Sequence, residues 1–509
     1  MLPGAFAFAV SRAIACVVAA ALISQPLAAQ EVLRVPLLTD IATFDPDNGF
    51  ETGAMSAINN VYEGLVQYEP GTVKVVGRLA DSWEVSDDGR EYVFRLVDGV
   101  KFHDGTEMNA ADVVESLNRR KDGKLALSYF LSNVEKLELV DRLTLKIVLR
   151  HAQPSFIDSL ASPWGPKVIS PRALAEHDKG DRAAGWLGEH ADGTGPYSLV
   201  EFSRGDRYVL KRNDEYWGQK AFFPEVQIPV IPDIGQQILQ LRAGDIDAVP
   251  TGYPIAQLGG IPSDLAVTAA PSVSLYTLFA KPGSPLDDPE IRQAVLTAIN
   301  PALWAEDAFG QYATVARSVY PSVVLDPGTP LVFPVDMERA RAIVARRGPV
   351  SLVIGQHSAS PGYQKISGLL IAQLASIGVK ATSYALPPGG AFNLKEATSP
   401  PDLLLTIAGP DAAHPENQAK AFFTKDAPVN FFGRSIDEVD RLIEEAGSLG
   451  NVARRNELYE QAGQMIFDAG IAIPLVEMQD VVVHANGIRD FGLRPVYPPG
   501  NIDFESVRR

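Results

Sequence analysis

One carboxylate of this sequence, Asp411, lies in a glycine- and proline-containing loop that directly follows an apolar run. The apolar run 403–408 predicts a buried strand, and Gly409, Pro410 and Asp411 follow it directly. A loop at the end of a buried strand can present a carboxylate to an ammonium group, with which it forms a charge-assisted hydrogen bond. The alternative interpretation is that Asp411 is an exposed loop residue without a ligand.

The spacing of the other reactive residues does not predict an enzyme. The sequence contains no Gly-x-Ser-x-Gly nucleophile motif, no His-Glu-x-x-His zinc motif and no Walker A motif for ATP hydrolysis. Its one cysteine excludes a disulfide framework and a cysteine-based zinc or iron–sulfur site. His357 and His414 are far apart in sequence, so we expect neither a cofactor nor a bound metal. Scattered acidic residues leave a secreted hydrolase open as an alternative.

The composition describes a folded, acidic protein. The 509 residues are enough for about three compact units, and the 46% of apolar residues excludes disorder as the main state. Lys and Arg total 45 against 62 Asp and Glu, a net charge of −17. Since no stripe of basic residues offsets this charge, we expect no nucleic-acid partner.

Residues 1–29 have the pattern of a secretory signal peptide. Arg12 is followed by an apolar stretch over 13–23 and then by small residues, with cleavage predicted after Ala29. We therefore expect the mature protein in the periplasm of a Gram-negative bacterium, with Cys16 removed. The alternative is a lipoprotein signal, because the triplet 13–15 precedes Cys16, although Arg12 lies where the apolar part of such a signal should already have begun.

Strand and helix patterns alternate along the chain and predict an α/β protein. The dipeptide Asp88-Gly89 separates two alternating segments and favours a type I′ hairpin turn. Strands are predicted at 83–85, 91–96 and 143–149, and helices after the caps Asn109 and Asp288, over 366–374 with a stop at Gly378, and over 458–466.

Several sequence blocks, in their order and spacing, are typical of one protein family. The longest runs over 79–114 and includes Ala-Asp-Ser-Trp-Glu at 80–84 and Phe-His-Asp-Gly-Thr at 102–106. Further blocks are Gly-Thr-Gly-Pro-Tyr at 193–197 and Arg-Asn-Asp-Glu-Tyr-Trp-Gly at 212–218. Over most of the chain beyond the signal peptide, they resemble the extracellular solute-binding proteins of peptide/nickel-type ABC importers, family 5.

The resemblance implies an α/β, two-lobed periplasmic binding protein fold of type II with an additional inserted α+β domain. The ligand is then expected in the cleft between the lobes, which closes over it. The implied division assigns 30–65, 193–281 and 478–509 to a discontinuous first lobe, 66–192 to the inserted domain and 282–477 to the second lobe.

The resemblance also implies ligand-binding positions. Asp411 falls where peptide-binding relatives place the carboxylate that pairs with the ligand's α-ammonium group, beside Gly409. Ala408 stands near the place where relatives carry a tryptophan, and His357 stands near the arginine that binds the ligand carboxylate in dipeptide-binding members. A neutral histidine pairs with a carboxylate more weakly than a bidentate arginine does. First-lobe candidates for the cleft lining, with simple packing as the alternative, are Phe50, Thr52 and Tyr62.

The function implied is capture of a peptide or another amine-bearing organic solute and its delivery to an ABC permease with separate ATPase subunits at the inner membrane. We expect the binding protein to be a monomer. One alternative is a receptor for an oligosaccharide or an opine-like sugar conjugate, which needs aromatic platforms such as Trp164, Trp186 or Trp304 on the cleft walls. Presentation of the ligand to a sensor instead of a permease is also open.

Overall fold

The computed structural model describes residues 31–251 and 261–509. The predicted signal peptide and Cys16 therefore lie outside the described residues. Within these two ranges, no helix combines the length and the apolar character needed to cross a membrane. The strands are β1 (Val32–Arg34), β2 (Val66–Tyr68), β3 (Val75–Gly77), β4 (Ala80–Val85), β5 (Glu91–Leu96), β6 (Val134–Asp141), β7 (Thr144–Leu149), β8 (Tyr197–Ser203), β9 (Arg207–Arg212), β10 (Glu225–Pro229), β11 (Ala248–Val249), β12 (Leu265–Ala270), β13 (Leu275–Ala280), β14 (Ala313–Val315), β15 (Val350–Gln356), β16 (Val379–Ala385), β17 (Leu403–Ala408), β18 (Ala472–Met478) and β19 (Asp480–Ala485). The helices are α1 (Met55–Val61), α2 (Ala110–Asp122), α3 (Phe156–Ala161), α4 (Pro171–His177), α5 (Ala184–Leu187), α6 (Ile234–Ala243), α7 (Pro289–Ala298), α8 (Pro301–Phe309), α9 (Met337–Arg347), α10 (Pro361–Ser376), α11 (Pro415–Phe422), α12 (Asp437–Ser448) and α13 (Val452–Asp468).

The first lobe contains two small sheets built from distant parts of the chain. One has the order β1-β10-β9-β8, with β1 parallel to β10 and the other pairs antiparallel. The second has the order β11-β19-β12, so that the C-terminal part of the chain pairs with its middle. A shared apolar core joins these sheets to α1 and to the segment that follows β19.

The inserted domain is a four-stranded antiparallel sheet, β4-β5-β7-β6, covered by α2. The predicted strands and hairpin are present, and Asn109 caps α2 together with Asp112 in a capping box. The hairpin turn differs from the predicted type I′ turn, because that turn needs positive φ at two residues and only Gly89 has it (φ 69°). The loop is accordingly longer, and Gly89 N–H bonds the carbonyl of Ser86.

The second lobe is a six-stranded mixed sheet of order β14-β18-β13-β17-β15-β16, packed by helices. Strand β15 is parallel to both β16 and β17, and α10 forms the crossover between β15 and β16. Asp288 caps α7, and Gly378 follows α10 with φ 88°, as predicted from the sequence. Central strand β17, which leads to Asp411, is buried along most of its length.

The topology moves one predicted domain boundary. Strand β13 lies in the middle of the six-stranded sheet, between β18 and β17, whereas the predicted division at 281/282 would leave it in the first lobe. The sheet pairing of β13 could not be read from its apolar sequence alone. We therefore propose that the chain enters the second lobe between β12 and β13 and returns between β18 and β19, where Gln479 is the connecting residue.

Candidate functional site

The loop that carries Asp411 contacts the inserted domain across the space between the lobes. The Tyr129 hydroxyl donates to Asp411 Oδ2 at 2.6 Å, and the Ser162 hydroxyl donates to the Asp411 carbonyl at 2.5 Å. Beside them, the Ala413 N–H donates to the Tyr68 hydroxyl at 2.9 Å. Asp411 is thus not a solvated loop residue, because it lies at a contact between two separately folded units.

The environment of the Asp411 carboxylate suits the binding of a cation. Burial raises the pKa of the Asp411 carboxyl above its usual value, and the hydrogen bond from Tyr129 partly opposes this effect. The Tyr129 hydroxyl occupies only Oδ2, and Oδ1 accepts no hydrogen bond from the described residues. A carboxylate can accept about four hydrogen bonds, so Asp411 has acceptor capacity left for an ammonium group.

An aromatic wall adjoins Asp411. The Phe50 ring stacks on the Trp164 ring with centroids 4.7 Å apart and an interplanar angle of 7°. The centroids of the Trp164 and Tyr497 rings are 5.5 Å apart. A Cβ placed on Gly409 would lie 3.3 Å from the Tyr497 ring. Because 48% of Phe50 stays exposed, the outer face of this stack is available to a ligand. Phe50 and Gly409 thus lie at the two ends of one row of contacts that runs through Trp164 and Tyr497.

A buried ionic cluster supports the backbone of this aromatic wall. Arg120 has no solvent exposure, and its guanidinium donates to the Asp47 carboxylate. It also donates to the carbonyl oxygens of Trp164 and Pro46, both at 2.6 Å. The cluster fixes the backbone on which Trp164 is mounted, close to the chain segment of Phe50.

The remaining first-lobe candidates do not join Asp411. Tyr62 is buried in the first-lobe core, packed against Phe44 with ring centroids 6.4 Å apart, and its hydroxyl has no hydrogen-bond partner among the described residues. Thr52 begins a short turn before α1 and lines a small cavity near Thr251 and Gly500. For Tyr62, the alternative of simple packing fits the structure, because its ring is buried in the first-lobe core.

The two predicted second-lobe neighbours of Asp411 differ in burial, since Ala408 is buried and His357 is half-buried. Ala408, the last residue of β17, is 1% exposed and packs in the lobe core. The His357 ring lies within 3.1 Å of the Thr406 hydroxyl and near Phe392, and its burial lowers its pKa. The lowered pKa favours the neutral form of His357, and its ring is occupied by the Thr406 hydroxyl on one side and by Phe392 on the other.

Sequence reasoning missed Tyr129, Ser162 and Tyr497. Tyr129 and Ser162 lie about 250 to 280 residues before Asp411 in the sequence, and Tyr497 lies in the irregular segment after β19. No periodic sequence pattern identifies these three residues. The tryptophans proposed as sugar platforms are also placed differently from one another. Trp304 is fully buried in the second-lobe core, and Trp186 stacks between His177 and His190 in the inserted domain. Of the three, Trp164 alone reaches the wall near Asp411.

Titration of Asp411 gives the first prediction. An ammonium ligand pairs with the ionised carboxylate, so its affinity should fall as the pH decreases through the raised pKa of Asp411 and should be flat above it. Calorimetric titrations from neutral pH down to about pH 4 measure this profile. The Asp411→Asn variant should bind weakly with no such fall, and an equal pH dependence in both proteins would contradict the assignment.

No metal centre accompanies this site within 31–251 and 261–509, where no three His, Cys, Asp or Glu side chains converge in a geometry suited to an ion. The arrangement offers one carboxylate, hydroxyl groups and aromatic surface, which are groups suited to an organic cation.

Comparisons with known proteins identify the family and the fold to which this chain is similar. The model of the family described as bacterial extracellular solute-binding proteins, family 5, matches residues 74–429. The glutathione-binding protein GsiB of Escherichia coli O1:K1 is 28% identical over 487 residues, which cover 92% of this chain and 93% of that protein. The ABC transporter substrate-binding protein CtaP of Listeria monocytogenes superposes with a TM-score of 0.82 at 22% identity, over 94% of this chain and 99% of the other. The periplasmic binding protein DppA of Helicobacter pylori, solved with the peptide STSA, superposes with a TM-score of 0.77 at 22% identity, over 94% and 98%. These likenesses confirm the predicted two-lobed periplasmic binding protein fold.

Proposed function

Because this chain belongs to the bacterial extracellular solute-binding proteins of family 5, we propose that it captures a peptide or another amine-bearing organic solute between its lobes. Asp411 is the proposed partner of the ligand's ammonium group, and the stacked rings of Phe50 and Trp164 are the proposed wall beside it. The delivery partner in this proposal is an ABC permease with its ATPase subunits, and the place of capture is the periplasm. The binding protein acts as a monomer and carries out no reaction.

The observation that carries the proposal is the half-occupied carboxylate of Asp411. One oxygen accepts the Tyr129 hydroxyl, the other has no donor among the described residues, and burial makes an uncompensated negative charge unfavourable there. An incoming ammonium group would supply both the missing donor and the opposite charge. Since Tyr129 and Asp411 come from different units, the same contact links ligand capture to lobe closure.

Glutathione is the first probe, because relatives with 28% identity are named for binding it. Its α-ammonium group matches Asp411, and its carboxylates distinguish it from simple amines. A thermal-shift panel should include glutathione, short peptides, oligosaccharides and amines. A true ligand present at a hundredfold its dissociation constant is expected to stabilise the protein by about 2.7 kcal/mol.

The matched control for any peptide that stabilises the protein is that peptide with its amino group acetylated. Acetylation removes the positive charge and keeps the rest of the molecule. We expect the acetylated form to give no shift. Stabilisation by an oligosaccharide and not by any amine would favour the alternative sugar-conjugate receptor. Native mass spectrometry of protein purified from the periplasm gives an independent identification of the co-purified molecule.

A further inference from the structure

A second cavity, of about 450 Å³, lies between the lobes beside the strands that connect them. Pro250, Thr251, Val481 and Pro499 contribute its first-lobe side. The second-lobe side comes from residues of β13, α8, α10 and β17, which are Tyr276, Phe309, Ser360, Pro361, Gly362, Lys365 and Ile407. Most of these side chains are apolar, so the cavity is suited to a hydrocarbon group of a ligand.

The start of helix α10 opens into this cavity. Ser360, the N-cap residue, makes no side-chain cap, and Pro361 has no N–H. The backbone N–H groups of Gly362 and Tyr363 precede the first intrahelical hydrogen bond, which the Gln364 N–H makes to the Ser360 carbonyl. These N–H groups and the dipole of a helix of 16 residues favour an anion at this place.

The side chain of Tyr276 is a second, independent observation at the start of α10. Tyr276 is 5% exposed, stacks on Phe309 with ring centroids 5.5 Å apart, and lines the cavity. Its hydroxyl makes no hydrogen bond to any described residue and lies so close to Gly362 that a Cβ there would collide with it. This hydroxyl lines the cavity, where an acceptor bound next to Gly362 would receive its hydrogen bond.

Two charged side chains, Lys365 and Asp480, line this cavity. Lys365, one turn into α10, lines the cavity, is exposed and has no ion pair within the described part of the chain. Asp480 is the one carboxylate among the lining residues, and both of its oxygens accept the Gly500 N–H at 2.8–2.9 Å. The lining therefore offers the hydroxyl and amide groups of Thr251, Ser274, Ser360 and Gln479, which can donate as well as accept, and Lys365 as its one positive charge.

We propose that this cavity binds the carboxylate of the captured ligand, with the apolar group next to that carboxylate, at the start of α10 between Lys365 and Tyr276. The inference deepens the proposed function and rests on it: the ligand carries an ammonium group for Asp411 and a carboxylate for this second subsite. In this chain the carboxylate partner is then α10 with Lys365 in place of His357, which packs against Thr406 and Phe392 and is not among the residues that line this cavity.

The test uses isocaproate, a carboxylate with a branched apolar tail, and its uncharged amide isocaproamide. Titration of isotope-labelled protein, followed by amide NMR, should show millimolar binding of isocaproate with shifts centred on Gly362, Tyr363 and Lys365. Isocaproamide should bind at least about tenfold more weakly, because it lacks the charge. Lys365→Met should weaken isocaproate by a similar factor, and Tyr276→Phe should also weaken it.

The matched control is Lys380→Met, which removes an exposed lysine of the same lobe and should leave isocaproate binding unchanged. Absence of isocaproate binding, equal binding of the amide, or shifts elsewhere would overturn the second subsite. Failure of the amine panel with intact isocaproate binding would instead overturn the proposed role of Asp411.

Discussion

Asp411→Ala is expected to weaken binding of the best amine-bearing ligand by about 2–5 kcal/mol, the cost of removing one partner of a buried charge pair. The variant removes the one carboxylate that faces Tyr129 across the cleft, and it leaves the ligand's ammonium group desolvated without an opposite charge. Isothermal titration with the ligand identified in the thermal-shift panel measures the loss directly. The effect should appear mainly in the dissociation rate.

Two further variants separate charge from shape at this position. Asp411→Asn keeps the size of the side chain and an acceptor for Tyr129, yet it should lose most of the affinity, because the charge is gone. Asp426→Ala removes an exposed carboxylate from the same lobe and should leave the affinity unchanged. Wild-type affinity in Asp411→Ala would refute the assignment of the ammonium partner.

Asp47→Ala is expected to lower the free energy of unfolding by about 3–5 kcal/mol. Asp47 is 1% exposed and pairs with both Arg119 and Arg120, so its loss leaves Arg120 buried without a carboxylate. Since Arg120 also holds the carbonyl of Trp164, the aromatic wall should loosen, and ligand affinity should fall as well. Urea denaturation followed by circular dichroism, with a parallel binding titration, measures both effects.

Asp98→Ala is the control for this variant. Asp98 also pairs with an arginine of the inserted domain, Arg142, but 64% of the Asp98 side chain is exposed. Exposed pairs of this kind contribute little to folding, so the variant should unfold like the wild type. Equal stability of Asp47→Ala and Asp98→Ala would show that the buried cluster does not support the wall.

The sequence by itself determined the features that depend on neighbouring residues. The capping box of Asn109 and Asp112, the helix stop at Gly378 and the alternating strand β5 follow from hydrogen bonding and side-chain direction within one element. The position of Asp411 immediately after a buried strand is equally local. The family blocks then implied the two-lobed fold, which the comparisons confirm.

The tertiary structure alone decided which side chains meet Asp411. Phe50 and Tyr62 were equal aromatic candidates, but Phe50 stacks on Trp164 and stays half exposed, whereas Tyr62 is buried in the first-lobe core. Tyr129 and Tyr497 reach the site from distant segments, and β13 takes its place in the second-lobe sheet through pairing with β17 and β18. A sequence pattern sets which face of an element is apolar, whereas contacts between distant elements depend on how those faces pack together.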